Sequence, residues 1–297
     1  MTKDSWKPDY FHESPLFELL IQPATVLSSG HHHDWPGLDE YQQLFTSLNG
    51  QLLNRAGCSI RFVSQGLSAN RFEEGYEPRI YLNGEIQTRV NNWHDYFQVL
   101  VWCLFPQLKL SLNALHYREA LQRLQTSPQK TNRSPVENAL TLFDECGVIL
   151  ISDDIELLEL IRDFRWKHLF WHHRQKLERH LSCLVFGHAL YEKAISPYIG
   201  MTGQAILLKC PTAFLALPAA RRIAQLDRDL ASFFNGDTRN DSFDTGALTP
   251  FPLLGVPGWD DNNNADYYNN SDYFRPGRNK AAAPIFDLAR LGNKLSA

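Results

Sequence analysis

Four segments of the chain carry side chains that could hold a metal ion or transfer protons. The first contains His94 and, beyond an apolar stretch, Lys109, Asn113 and His116. The last three follow an i, i+4, i+7 spacing, so they would share one face of a helix. Polar groups buried in so apolar a region need partners. The segment therefore predicts either a hydrogen-bonded structural network or part of a metal or acid–base site.

A second segment ends in two neighbouring carboxylates, Asp144 and Glu145, which close a predicted helix. The C-terminal end of a helix dipole is negative and disfavours each carboxylate by about 0.3–1 kcal/mol. The apolar residues that precede the pair place this end in the core, where a carboxylate needs a cation or a metal. A salt bridge to an arginine is the structural alternative.

The third segment holds His188 and Glu192, spaced i, i+4 in a predicted helix over residues 174–195. This spacing projects an imidazole and a carboxylate in one direction, which suits a metal and equally suits a simple His–Glu hydrogen bond. Gly187 precedes the pair and costs about 1 kcal/mol relative to alanine inside a helix. We therefore expect a ligand or another helix to approach closely at this glycine.

The fourth segment follows residue 235, is rich in Gly, Pro, Asn, Asp and aromatic residues, and has no helical or strand period. Its aromatic side chains, including Trp259, need burial, so it is predicted to be a long ordered C-terminal loop. Arg275 and Arg278 could bind a carboxylate or phosphate through paired hydrogen bonds, or could pair with Asp144 or Glu145. The run at residues 31–33, His-His-His, is interpreted as surface. The acidic stretch at 260–272 lacks the glycine and final glutamate of a calcium loop.

Composition narrows the class of protein. A chain of 297 residues that is 43% hydrophobic and 12% aromatic can bury a large core. A net charge of −4 gives no general attraction to phosphate backbones, so nucleic-acid partners are not expected. The five cysteines include no C-x-x-C pair, and no secretory signal or membrane-length apolar run is present. These features predict a soluble cytoplasmic protein with reduced thiols and no membrane partner.

The signatures of common nucleotide-binding and hydrolase sites are missing from the sequence. It contains no P-loop, no glycine-rich dinucleotide motif, no nucleophile elbow, no H-E-x-x-H and no zinc-finger spacing. No nucleotide cofactor is therefore predicted.

The elements that must position these residues are mostly helical. Apolar periodicity predicts helices over residues 39–55, 92–105, 107–125, 135–145, 155–164, 174–195 and 218–234. Short strands are predicted at 59–64, 79–88, 148–151 and 205–209, with a hairpin turn at Asn83-Gly84. We predict an α+β fold: a mostly helical single domain over residues 35–280 with a small antiparallel sheet. Residues 1–34 would be an N-terminal extension and 281–297 a C-terminal tail.

Taken together, the motifs resemble a bacterial family, the domain of unknown function 3025. The resemblance spans roughly residues 35–278 and rests on NWHD at 92–95, FP at 105–106, ALTLFDE at 139–145, FGHAL at 186–190, GVPGW at 255–259 and FRP at 274–276. The family name implies no established activity. The resemblance does imply that these segments, including the C-terminal loop, belong to one domain.

The leading hypothesis is a cytoplasmic, metal-dependent hydrolase in which these segments converge on one pocket. The expected ligands of a zinc, manganese or iron ion are His116, Asp144 and His188. The expected catalytic residues are His94, Glu145 and Glu192, with one of the two glutamates as the general base. The expected contacts to a small or anionic substrate are Lys109, Asn113, Trp259, Arg275 and Arg278.

Two other functions fit the same residues. In the first, the polar motifs form a buried network that fixes the C-terminal loop of a non-enzymatic binding or structural module. In the second, a hairpin followed by Asn113 and His116 belongs to a histidine-metal nuclease, although the net negative charge weighs against it. Convergence of three or more of His94, His116, Asp144 and His188 on one concave pocket would favour an enzyme.

Overall fold

Helices dominate the fold, which a computed structural model describes for residues 5–66, 71–126, 132–235, 243–277 and 283–291. The helices are α1 Ile21–Ser28, α2 Leu38–Asn49, α3 Tyr76–Asn83, α4 Trp93–Leu104, α5 Pro106–Thr126, α6 Pro135–Cys146, α7 Ile155–Arg162, α8 Arg174–His180, α9 His188–Ala194, α10 Thr212–Leu215, α11 Ala219–Asn235 and α12 Leu288–Leu291. The strands are β1 Arg61–Ser64, β2 Glu85–Thr88, β3 Gly147–Ser152, β4 Leu181–Val185, β5 Thr202–Lys209, β6 Thr249–Pro252 and β7 Ile285–Asp287. The predicted α+β class is confirmed.

Five strands form a central mixed sheet in the order β4-β3-β5-β6, with β7 also paired to β5. Strand β3 is antiparallel to β4 and parallel to β5, and β6 and β7 share the far edge of β5. The expectation of an antiparallel sheet is therefore corrected. All six residues of β3 are buried, as suits a central strand covered on both faces by other elements.

The predicted hairpin at Asn83-Gly84 is wrong. Residues Tyr76–Asn83 form α3, and Gly84 ends this helix in the left-handed conformation, with φ of 71°. The type I′ hairpin turn and the helix C-cap both need a positive φ, so the Asn-Gly pair suits either one. Helix α3 is the crossover that leaves β1 and β2 parallel.

The predicted helix over residues 174–195 is also wrong, because strand β4 interrupts it between α8 and α9. Pairing of β4 with β3 overrides the helical spacing of the sequence. Gly187 is the extended N-cap of α9, and its close neighbour is the backbone that enters β3. A Cβ added to Gly187 would lie 2.5 Å from both Cys146 N and Cys146 Cα.

The N-terminal segment packs against α4 through aromatic rings. Tyr10 is fully buried and contacts Trp93 and Phe97 edge to face, while Phe17 stacks on Phe97. The domain boundaries proposed at residues 34/35 and 280/281 stay predictions. Among the described residues, no helix combines the length and the apolar character needed to span a bilayer.

Asp227, a buried carboxylate of α11, caps helix α5 from a distance in sequence. Its oxygens accept hydrogen bonds from Gln107 N at 3.1 Å and from Leu108 N at 2.8 Å. Burial raises the pKa of Asp227 to about 6, although the two backbone donors oppose this rise. The carboxyl group therefore holds a proton more tightly in the folded chain than in the unfolded one.

This difference in pKa predicts a measurable pH dependence. Because the folded pKa is raised, the stability that Asp227 contributes is fully present below pH 4 and is lost as the pH rises through about 6. Asp227→Asn should remove this loss, so the variant should gain up to about 3 kcal/mol relative to the native protein between pH 4 and pH 7. Urea unfolding at both pH values measures the change. The exposed Asp261→Asn is the control, and a native-to-variant difference independent of pH would contradict the prediction.

Candidate metal centre

Two histidines and a glutamate from three helices meet beside a cavity. His94 lies in the first turn of α4, Glu145 in the last turn of α6, and His188 is the first residue of α9. His94 Nε2 lies 3.0 Å from His188 Nε2, and Glu145 Oε2 lies 3.9 Å and 3.6 Å from these two nitrogens. These residues, called the His–Glu–His cluster below, could hold a metal ion.

The other ring nitrogen of each histidine faces a second carboxylate. His94 Nδ1 lies 3.1 Å from Glu192 Oε2, and His188 Nδ1 lies 3.8 Å from Asp144 Oδ2. Carboxylates commonly orient metal-binding imidazoles in this way, because they fix which ring nitrogen remains free for the metal. Glu192 therefore orients His94 so that its Nε2 faces His188 Nε2, whereas His188 Nδ1 forms no hydrogen bond among the described residues.

A backbone contact brings the cluster together. Gly147 O accepts hydrogen bonds from Phe186 N at 2.9 Å and from Gly187 N at 2.8 Å. Glu145 and His188 stand immediately beside this contact, on α6 and α9, which pack against each other. The sheet thereby places a glutamate and a histidine that are distant in sequence next to each other.

The first carboxylate of the pair at residues 144–145 is neutralised by a lysine. Lys109 Nζ donates a hydrogen bond to Asp144 Oδ1 at 2.5 Å and lies 5.2 Å from the centre of the Trp102 ring. Burial alone would raise the pKa of the Asp144 carboxyl, but the positive charge and the hydrogen bond of Lys109 bring that pKa below its usual value. The sequence predicts that a carboxylate at this buried helix end needs a cation. Asp144 has such a partner, which is a lysine rather than an arginine.

Burial shifts the pKa values of His188 and Glu145 in opposite directions. It lowers the pKa of His188 to about 3, so that imidazole stays neutral at physiological pH. It raises the pKa of Glu145, which Asp144 raises further while His94 opposes the rise. A neutral imidazole is the form that binds metals, because its free nitrogen retains a lone pair.

The cluster adjoins a cavity of about 630 Å³. Residues that line this cavity include His94, Lys109, Asn113, His116, Asp144 and Glu145. Three of the four side chains whose convergence would favour an enzyme, His94, His116 and Asp144, therefore share one concave surface. His188 joins them through its contact with His94.

The remaining predicted site residues are placed as follows. His116 lies away from the cluster, with Nε2 3.3 Å from Thr141 Oγ1. Asn113 donates hydrogen bonds to the backbone and side chain of Glu77. Of the predicted ligands, only His188 belongs to the cluster, while His94 and Glu145, expected to be catalytic, complete it.

The C-terminal loop lies elsewhere. Trp259 and Arg275 are absent from the described lining of the cavity, and Arg275 O accepts a hydrogen bond from Trp166 Nε1. Arg278 lies outside the described residues. Two arginines that sequence reasoning did not select, Arg71 and Arg133, line the cavity instead. Each arginine precedes a helix and lies outside the motifs named in the sequence analysis. The spacing of residue types therefore gave no signal that would identify them.

The fold and the site define an α+β protein with a candidate metal centre beside a cavity. The chain belongs to the family described as Protein of unknown function (DUF3025), whose model matches residues 60–278, more than half of the chain. His94, Glu145 and His188 all lie within the matched region. Neither a curated protein nor a solved structure shows a significant match to this chain.

Proposed function

We propose that this protein is a metal-dependent hydrolase in which His94, Glu145 and His188 bind a divalent cation. The observation that carries the proposal is the spacing of the three ligand atoms, which are 3.0, 3.6 and 3.9 Å apart. The point equidistant from all three lies about 2 Å from each, which is the usual bond length from zinc to nitrogen or oxygen. Two imidazoles and one carboxylate also suit manganese and iron.

Each residue of the site then has a chemical role. A cation bound by three protein ligands leaves a position for water and lowers the pKa of that water towards neutrality. Glu192 holds the imidazole of His94 in orientation through its 3.1 Å hydrogen bond, so Glu192 becomes a positioning residue rather than the base. Glu145 would bind the cation through Oε2, which leaves its second oxygen, Oε1, to accept a proton from water.

The adjoining cavity favours an enzyme over the other two functions considered. A structural zinc site is closed by four protein ligands, whereas the described residues supply three ligands and leave room beside them for a substrate. A network that fixes the C-terminal loop would require contacts from Trp259 or Arg275, and neither lines the cavity among the described residues. The nuclease hypothesis depended on a hairpin before Asn113 and His116, and the structure has helix α3 where that hairpin was predicted.

Metal titration of variants tests the proposal. The protein is prepared without an affinity tag, with His32→Asn and His33→Asn because these exposed imidazoles would bind metals nonspecifically. After chelator treatment, calorimetry with zinc, manganese and ferrous iron should show one tight site per chain. Glu192→Gln should weaken it about 10- to 100-fold, as the loss of an orienting carboxylate does, and His94→Gln should weaken it more.

His116→Gln is the matched control, because His116 is also a cavity imidazole but stands outside the cluster. Its metal affinity should equal that of the parent. Equal weakening by His94→Gln and His116→Gln would overturn the ligand assignment. Hydrolysis of ester or phosphoester substrates that persists after complete chelation would overturn the metal-dependent mechanism.

A further inference from the structure

The cavity extends along α5 from the cluster to His116. Lys109 stands beside the cluster through Asp144, and His116 follows two helical turns later, a separation of about 10 Å. Thr141 and Arg133 lie near His116, and Arg71 also lines the cavity. The two ends of the cavity therefore differ: one holds the His–Glu–His cluster, and the other is rich in hydrogen-bond donors.

Ion pairing within the cavity leaves two arginines available. Basic and acidic side chains line the described cavity in equal numbers, and most of them form three ion pairs, Arg89–Asp95, Lys109–Asp144 and Arg123–Glu137. The exposed guanidinium groups of Arg71 and Arg133 form no ion pair within the described residues. Of the remaining carboxylates, Glu145 belongs to the cluster and Glu77 accepts a hydrogen bond from Asn113. A divalent cation at the cluster would make this lining positive.

The hydrogen bonds of Thr141 determine which nitrogen of His116 carries a proton. Thr141 Oγ1 donates to Glu137 O at 2.9 Å, so it can only accept from Arg133 Nη1 at 3.0 Å and from His116 Nε2 at 3.3 Å. The neutral ring is therefore protonated on Nε2, and Nδ1 carries a lone pair.

His116 Nδ1 is buried and has no hydrogen-bond partner among the described residues, and the side chain is only 8% exposed. An unsatisfied buried polar atom costs about 1–3 kcal/mol. A ligand in the cavity that supplies a proton to this nitrogen would recover that free energy. The same ligand would need acceptor oxygens for the arginines.

We propose that the His116–Arg133 end of the cavity binds a phosphate group, so that the substrate is a phosphorylated compound. This proposal rests on the proposed function. If both hold, the hydrolysed bond lies at the cluster, about 10 Å along α5 from the phosphate. The phosphate oxygens accept hydrogen bonds from Arg133 and Arg71, and its remaining proton satisfies His116 Nδ1. A phosphate monoester loses its second proton with a pKa of about 6, whereas a carboxylic acid loses its only proton with a pKa of about 4. A phosphate therefore retains the proton that His116 Nδ1 needs more readily than a carboxylic acid does.

Inorganic phosphate is the probe, and chelator-treated protein is the decisive sample because a bound metal could itself bind phosphate. Calorimetry should show one phosphate per chain, with affinity at least 10-fold lower in Arg133→Gln and in His116→Gln. The exposed Arg55→Gln, outside the cavity, is the matched control and should leave phosphate affinity unchanged. Acetate should bind at least 10-fold more weakly than phosphate.

The outcomes separate the two proposals. Phosphate binding that depends on Arg133 in a protein that binds no metal would support the phosphate site and overturn the hydrolase. Metal binding together with phosphate affinity that Arg133→Gln leaves unchanged would overturn the phosphate site alone. Acetate binding as tight as phosphate binding would overturn the assignment of the ligand as a phosphate.

Discussion

Replacing Gly187 with alanine is expected to lower the free energy of unfolding by about 3 kcal/mol or more, enough to prevent folding of a marginally stable domain. The added Cβ would lie 2.5 Å from Cys146 N and Cys146 Cα, and these are backbone atoms at the entry to β3. They cannot retreat without breaking the hydrogen bonds from Phe186 N and Gly187 N to Gly147 O. The clash therefore opposes strand pairing directly.

Urea unfolding followed by circular dichroism measures this effect. Gly66→Ala is the matched control, because an added Cβ there would contact, among the described residues, only Gln87 Nε2, at 3.9 Å. The control should change stability by no more than about 0.5 kcal/mol. A Gly187→Ala variant that unfolds at the same urea concentration as the native protein would show that the two backbones can separate freely.

The second large effect is expected from Lys109→Met, with a loss of about 3–5 kcal/mol. The lysine side chain is 4% exposed and that of its partner Asp144 17% exposed, so removing the ammonium group leaves a buried carboxylate without its cation. The methionine retains most of the apolar contact with Trp102. The loss therefore reports the uncompensated charge rather than missing packing.

Two further variants separate the effect of the unpaired Asp144 charge from other effects of the substitution. The double variant Lys109→Met/Asp144→Leu should regain much of the stability, because no buried ion remains unpaired. Arg61→Met removes a cation from the more exposed Arg61–Glu85 pair and should cost less than about 1 kcal/mol. Chemical denaturation gives all three values. Similar losses from Lys109→Met and Arg61→Met would contradict the role assigned to burial.

Local signals in the sequence predict the elements that depend on local interactions. Ser134-Pro135 predicts the start of α6, and in the structure Ser134 Oγ accepts from Glu137 N while the Glu137 side chain accepts from Ser134 N. The segment at 174–195 fails because Leu181–Val185 pairs with β3, a partner distant in sequence. The spacing of apolar residues within one segment cannot predict pairing with a strand that is distant in sequence.

The candidate site, too, was predictable from the sequence only in part. Residue type and spacing selected His94, Glu145 and His188 from the sequence, but not their grouping. Neighbouring residues on a helix point about 100° apart, so one of Asp144 and Glu145 meets Lys109 and the other meets the histidines. Which one does so depends on how α6 packs against α5 and α9. This packing is part of the tertiary structure and cannot be predicted from the residue types at positions 144 and 145.

The contact of Gly187 with Gly147 also sets an order of events during synthesis. Glu145 and His188 become neighbours only when β4 has paired with β3, which requires the chain to have left the ribosome beyond α9. A nascent chain that ends before residue 188 lacks one side of the centre. Backbone hydrogen bonds between paired strands therefore bring Glu145 and His188 together.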